Sequence, residues 1–267
     1  MNTIELTPLD LSLAALLVIL LAVVSGLMRL QVSRSILVAS LRTAVQLLLV
    51  GLVLEVLFSN VNLVWIACIA GVMLTVATRE VQNRQKRVLV GAWGWGVGGL
   101  SMLLSSFVVT LFALLLIVEP TPWYDPRYAI PMFGMMTGNT MTGVALALDR
   151  ISEGAWTQRG QIEAQLSMGR SSQEAIAPIK REAARTGLVP IINAMAAAGL
   201  VSLPGMMTGQ ILAGNPPEEA VKYQVLIMFM IASGTGFGVV FATQIGAGRL
   251  FDERSRLRLD RLRAARS

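Results

Sequence analysis

The sequence predicts an all-α, polytopic integral membrane protein with about seven transmembrane helices, its N-terminus outside and its C-terminus cytoplasmic. Of the 267 residues, 54% are hydrophobic and only 14% charged, and mean hydropathy is +0.65; soluble domains carry about 25% charged residues. Apolar runs of about 20 residues recur along the chain, the length a helix needs to cross a bilayer. Lipid leaves the helix as the open architecture that pairs all its backbone groups.

The expected spans are 9–28, 36–58, 62–78, 97–118, 129–148, 188–207 and 224–246. No Lys or Arg precedes Arg29, so the basic region of a cleavable signal is missing and the first span is expected to stay as an anchor. The second span carries Arg42, Gln46 and Glu55, and the third carries the single cysteine, Cys68. The fifth and the end of the sixth each carry the pentapeptide GMMTG. We take residues 1–248 as one membrane domain with a cytoplasmic loop at 149–186, and 249–267 as a basic tail.

Basic residues set the orientation. Loops on one side hold nineteen Lys and Arg, seven of them from Arg249 to Arg266, while the other side holds Arg127 and Lys222. The pI of about 10.2 is then a topology signal and calls for no nucleic-acid partner. Two readings stay open for the tail: a basic amphipathic helix on anionic lipid, or a solvated run of inside-positive charge. The outer segments carry Glu5, Asp10, Glu119, Asp125, Glu218 and Glu219, which either gather cations near a pore mouth or act as ordinary surface acids. Trp65, Trp123, Tyr124 and Tyr128 fall at the outer interface and Trp93 and Trp95 at the inner, as aromatic belts do.

Several chemistries are excluded. One cysteine allows no intrachain disulfide, and with no histidine the usual zinc and haem ligand sets are missing. Gly94-Trp-Gly-Val-Gly-Gly99 matches a dinucleotide fingerprint in letters, but it enters a membrane span instead of following a strand. Lys86, Lys180 and Lys222 follow Gln, Ile and Val, so there is no Gly-Lys pair to hold ATP phosphates. The chain is therefore expected to be no enzyme and to carry no cofactor of its own.

Within 149–186, Ile162 and Leu166 share a face at i and i+4, and Gly169 is placed to end that helix in a left-handed cap. Ser171 to Glu174 reads as a capping box opening a second helix, with Ile176, Ile179 and Ala183 on one face. Such a hairpin suits either a docking knob or a surface-lying element. The run Glu163-Ala164-Gln165, with Gly169 and Ile179 following, resembles the loop through which ABC transporter permeases engage their ATPase. Where import permeases continue to Leu-Pro, this chain has Arg181-Glu182.

LRTAVQLLLVGLVLEVLF, PMFGMMTGNTMTGVALALDR, EAQLSMG and LPGMMTGQIL, in that order, resemble the FetB family of iron-export permeases, to which plant permeases linked to aluminium tolerance are similar. The resemblance implies a bacterial inner-membrane permease, two copies working with two separate ATP-hydrolysing subunits that hold ATP and Mg. Glu163, Ala164, Gly169 and Ile179 would couple to that partner. The bacterial members are associated with iron and the plant relatives with a nucleotide sugar. An ATP-independent channel or secondary carrier also fits a chain without a P-loop.

For the substrate path, Arg42 and Gln46 share a helix face about two turns from the inner end, where a charge faces a cavity or snorkels to headgroups. Glu55 lies near the outer end as a cation ligand or an interfacial acid. The GMMTG copies fall in the outer part of antiparallel spans. Gly134 with Gly138, and Gly205 with Gly209, form GxxxG pairs suited to helix packing. Met135, Met136, Met206 and Met207 offer soft sulfur, better matched to Cu(I) than to iron, or a flexible apolar lining. Asn139 and Gln210 follow the copies as polar groups, and Pro131 and Pro204 add backbone breaks of a kind found near transporter sites.

Overall fold

The computed structural model describes residues 7–59 and 61–264; Glu5 and Arg266 lie outside them. α1 (Pro8–Leu27) opens on a reciprocal cap: Thr7 N donates to the Asp10 carboxylate at 2.8 Å while Asp10 N donates to the Thr7 hydroxyl. Arg29 and Gln31, both at positive φ, turn the chain into α2 (Ser33–Ser59). α1 and α2 form one compact unit.

The second unit comprises 62–211 and 215–264. It contains α3 (Leu63–Asn83), α4 (Ala92–Met102), α5 (Val108–Ala113), α6 (Pro126–Thr157), α7 (Arg159–Ser167), α8 (Ser172–Ala197), α9 (Gly205–Leu212) and α10 (Pro217–Arg249). π-helical turns at Leu103–Phe107 and Leu114–Val118 carry α4 into α5 and beyond.

Glycines set the helix directions. A Cβ on Gly98 would lie 3.2 Å from Val81 Cγ1, one on Gly238 2.5 Å from Thr140 Cγ2, and one on Gly187 2.7 Å from the Gly143 carbonyl oxygen. With Gly134 facing Met73, Gly246 facing Leu148 and Gly154 facing Ile179, these pairs run α3, α6 and α10 parallel, and α4 and α8 against them. That is the alternation a chain crossing a membrane back and forth requires.

Five stretches among the described residues are long and apolar enough to cross a membrane: Pro8–Leu27, Ser33–Glu55, Leu63–Asn83, Ala92–Val118 and Pro217–Arg249. The expected fifth span belongs to the longer α6, whose 32 residues reach about 48 Å, more than the bilayer core. The expected sixth span, 188–207, is not one helix. α8 starts at Ser172, ends at Ala197, and gives way to a turn with Gly199 at φ 81° before α9 begins at Gly205. Hydropathy marks the apolar run, whereas the backbone breaks where Gly199 and Pro204 interrupt the helical bonds.

The tail is neither an amphipathic helix nor a free solvated run. Leu262–Ala264 (β2) pairs antiparallel with Arg87–Leu89 (β1), Arg87 opposite Ala264. Leu250, Phe251 and Leu262 are buried in the same core as Ile162 and Ile176. Its charges are spent locally: the Asp252 carboxylate accepts from Arg254 N, Arg256 N and the Arg256 guanidinium, and Arg258 pairs with Asp260 at 2.9 Å. Those hydrogen bonds hold both carboxyls below their ordinary range, the contact with Arg256 N acting first at Asp252 and the Arg258 side chain first at Asp260. Because Leu262 is buried, Leu262→Ala is expected to cost about 2–4 kcal/mol, read as a lower Tm of the purified protein.

Candidate functional site

α6 and α10 both begin at one end of the second unit, and α9 stands beside them there. On α6, Tyr128, Pro131 and Met135 share a face at i, i+3 and i+7; on α9, Met206 and Gln210 share one at i and i+4; on α10, Tyr223 and Ile227 do the same. These faces enclose a cavity of about 430 Å³, also lined by Arg127, Met132, Asn215 and Val118. Its size suits a small solute.

The cavity brings together Met135, Met206 and Gln210 from the two GMMTG copies. It does not include Met136, Asn139 or Met207. Met136 is buried with its sulfur toward Gly234. The Asn139 amide turns back to donate to the Met135 carbonyl at 2.8 Å. Successive helical residues point about 100° apart, and here one methionine of each pair faces the cavity while the other turns away from it.

The cavity chemistry is mixed: one guanidinium, two phenols, two carboxamides and thioether sulfur. Among the described residues no group of three or more Asp, Glu, His or Cys gathers to hold a metal ion. Several of the acids expected at the outer face are engaged elsewhere. Glu218 and Glu219 both pair with Lys222, at 3.0 and 2.8 Å, and Asp125 caps α6 through Arg127 N. Arg127, Tyr128, Asn215 and Tyr223 were absent from the sequence-derived site. The spacing of Tyr128 from Met135 was the available signal.

Of the expected packing glycines, Gly134 comes within 3.1 Å of Met73 Cε, measured from its Cβ position. Gly138, Gly205 and Gly209 have no atom within 4 Å of theirs. The close contacts fall instead at Gly143, Gly187 and Gly238. Arg42, Gln46 and Glu55 stand on exposed parts of α2 in the first unit.

A second local feature is the α7–α8 elbow. Gly169 adopts φ 83°, its N–H donates to the Leu166 carbonyl, and Arg170 N donates to the Gln165 carbonyl, which closes α7. Ser171 N and Oγ both donate to the Glu174 carboxylate at 2.8 Å, and Glu174 N donates to Ser171 Oγ. The two bonds from Ser171, backbone first, hold the Glu174 carboxyl below its ordinary range. Glu163 and Ala164 are exposed, but Ile179 is buried against Gly154. A partner surface cannot touch Ile179, which instead seats α8 on α6. Met168, 70% exposed beside Gly169, is an apolar tip that the helical pattern did not single out.

Long apolar helices, alternating in direction around a cavity of mixed lining, define an integral membrane protein of the all-α class. The chain belongs to the family described as "Uncharacterised protein family (UPF0014)", whose model matches residues 8–251. It is 37% identical to the UPF0014 membrane protein slr1647 of Synechocystis over 81% of this chain and 83% of that one. It is 30% identical to the probable iron export permease protein FetB of Escherichia coli, covering 98% and 99% of the two chains. It is also 31% identical to Protein ALUMINUM SENSITIVE 3 of Arabidopsis thaliana over 87% of this chain and 83% of that one. No solved structure matches the chain.

Proposed function

We propose that this chain is the membrane subunit of an ABC-type exporter in a bacterial inner membrane, moving iron or another metal cation out of the cytoplasm. ATP and Mg would be held by a separate ATPase subunit, and two copies of the chain would work with two of it. The observation that carries this reading is the continuity of α8. It begins at the capped elbow, runs 26 residues into the bundle, and ends a seven-residue connection before α9, which brings Met206 and Gln210 to the cavity. A push on the elbow therefore travels along one helix to the connection that leads to the cavity wall. Whole-length similarity to a probable iron export permease supports the direction and the cargo.

The test is metal-stimulated ATPase activity of the reconstituted complex. Met135→Leu with Met206→Leu is expected to raise the metal concentration needed by roughly tenfold, the scale of a lost metal-site contact. Met136→Leu with Met207→Leu, which leaves the cavity lining intact, should change nothing. Equal behaviour of the two pairs would remove the methionines from the site.

One observation favours a second cargo class. Arg127 places a permanent positive charge in the cavity beside the phenols of Tyr128 and Tyr223, a set suited to an anionic, hydroxyl-rich solute such as a nucleotide sugar. For such a cargo, Arg127→Gln is expected to lower apparent affinity by about tenfold, roughly the strength of one charge-assisted hydrogen bond. For a bare metal cation the same change should leave affinity equal or improve it. Transport by the purified chain in liposomes without any ATPase would instead establish a channel or secondary carrier.

A further inference from the structure

About two helical turns inward from the cavity, the core of the second unit contains a row of hydroxyls that nothing satisfies. Val118, Met132 and Ile227 line the cavity; eight residues along α5 and α6, and on α10, lie Thr110, Thr140 and Thr235, roughly 12 Å deeper. These three, with Ser101, Ser106 and Thr137, are between 0 and 5% exposed, and their hydroxyl oxygens have no hydrogen-bond partner. Serines and threonines in helices ordinarily bond the carbonyl four residues back, and Ser105 does so, to Ser101 at 2.7 Å. Buried unpaired hydroxyls are costly, and a cluster of them in a membrane bundle calls for a physical reason.

The helix surfaces around them are unusually close and unusually irregular. The Cβ position of Gly238 lies 2.5 Å from Thr140 Cγ2 and 2.9 Å from Ser105 Oγ, and that of Gly143 lies 2.7 Å from Thr235 Cγ2. Ser105 and Ser106 sit in a π-helical turn, and the next such turn ends at Val118 on the cavity wall. π-turns disturb the regular backbone bonding and recur at functional sites. Glycine contacts of this kind form no side-chain hydrogen bonds across the interface. Parting them breaks few polar contacts and lets water reach every orphan hydroxyl.

We infer that the hydroxyl-lined seam between α4–α5, α6 and α10 is the inner continuation of the cavity, the surface along which polar cargo crosses the bundle. It is closed in this structure and becomes hydrated when α10 parts from its neighbours. The uncompensated hydroxyls raise the energy of the closed state, so that opening needs less work. The seam offers neutral oxygen donors and acceptors throughout, which suits water and the outer oxygens of a hydrated or oxygen-coordinated solute. This inference rests on the transport reading above but not on the ATPase partnership.

The test uses the full chain in native membrane vesicles with Cys68→Ala as background. Single cysteines are placed at Thr110, Thr140 and Thr235, and at Val81 and Ala147, equally buried apolar positions outside the seam. A charged thiol reagent is expected to label the seam positions about tenfold faster than the two controls, since hydration of one of the unpaired hydroxyls that remain lowers the opening cost by roughly that factor. Independently, Thr140→Val, which keeps the shape and removes the hydroxyl, should raise Tm by about 2 °C, while Thr140→Ser should not. Equal labelling at seam and control positions, or a lower Tm for Thr140→Val, overturns the proposal. Whether an ATPase co-purifies from the same membranes is scored separately. Fast seam labelling without it sinks the ABC reading alone, and slow labelling with it sinks the seam alone.

Discussion

Gly187→Val is expected to prevent the bundle from forming. The Cβ position of Gly187 is 2.7 Å from the Gly143 carbonyl oxygen, 3.0 Å from Ala147 Cβ and 3.0 Å from Val239 Cγ2. The first obstacle is backbone, which cannot rotate away as a side-chain tip can. α6 and α8 would have to separate, and because Val239 belongs to α10, the same displacement loosens the three-helix contact. Overpacking of a tight core commonly costs about 1–3 kcal/mol, and a clash with backbone at a shared junction belongs at the upper end or above it. The measurement is the yield of monodisperse protein and its Tm. Gly209→Ala is the matched control: nothing lies within 4 Å of its Cβ position, so Tm should hold or rise slightly, as expected when an open helical glycine gains a methyl. A harmless Gly187→Val would refute this packing.

Gly169→Pro is expected to uncouple the chain from the proposed ATPase subunit while leaving the bundle folded. Proline fixes φ near −65°, whereas Gly169 sits at +83°, and it removes the N–H that donates to the Leu166 carbonyl. The turn between α7 and α8 cannot survive both losses. Ile162, Ile176 and Ile179 still hold the two helices to the core, so Tm should fall only modestly. ATPase recovered with the chain should drop at least about tenfold, as when an ordered binding element is lost. Gly160→Ala, on the same helix with open space around it, should leave recovery unchanged. Normal co-purification by the Gly169→Pro chain would place the docking surface elsewhere.

The elbow was legible in the sequence because its determinants are local. The left-handed Gly169, the Ser171–Glu174 box and the spacing of Ile162, Ile176 and Ile179 each act within a few residues, and each stands in the structure where periodicity and capping chemistry place it. Short range is also why α1 to α5 fall close to their expected spans. The sixth span failed because hydropathy sums residues without regard to backbone continuity, and Gly199 ends the helix inside an apolar run. Three of the four expected packing glycines failed for a related reason, while Gly134 does meet Met73. A GxxxG spacing says that a close approach is possible; which glycine is used depends on where the neighbouring helix lies, and α8 and α10 chose Gly143 and Gly238 over Gly138 and Gly209.

From composition, periodicity and charge, the sequence determined a helical membrane protein, its elbow and the kinds of side chain available to a site, while its family likeness rests on four motif blocks. Tertiary structure alone decided which methionines face a common cavity, that Arg127 and two tyrosines share it, and that the basic tail ends in a strand paired with β1 and anchored by the buried Leu262. It also decided that a row of hydroxyls is left unpaired in the core. The physical division is one of range: caps, turns and amphipathic faces are set by neighbours within a helical turn or two. A cavity, a glycine contact and an orphan hydroxyl are defined by atoms on other helices, far away in the chain.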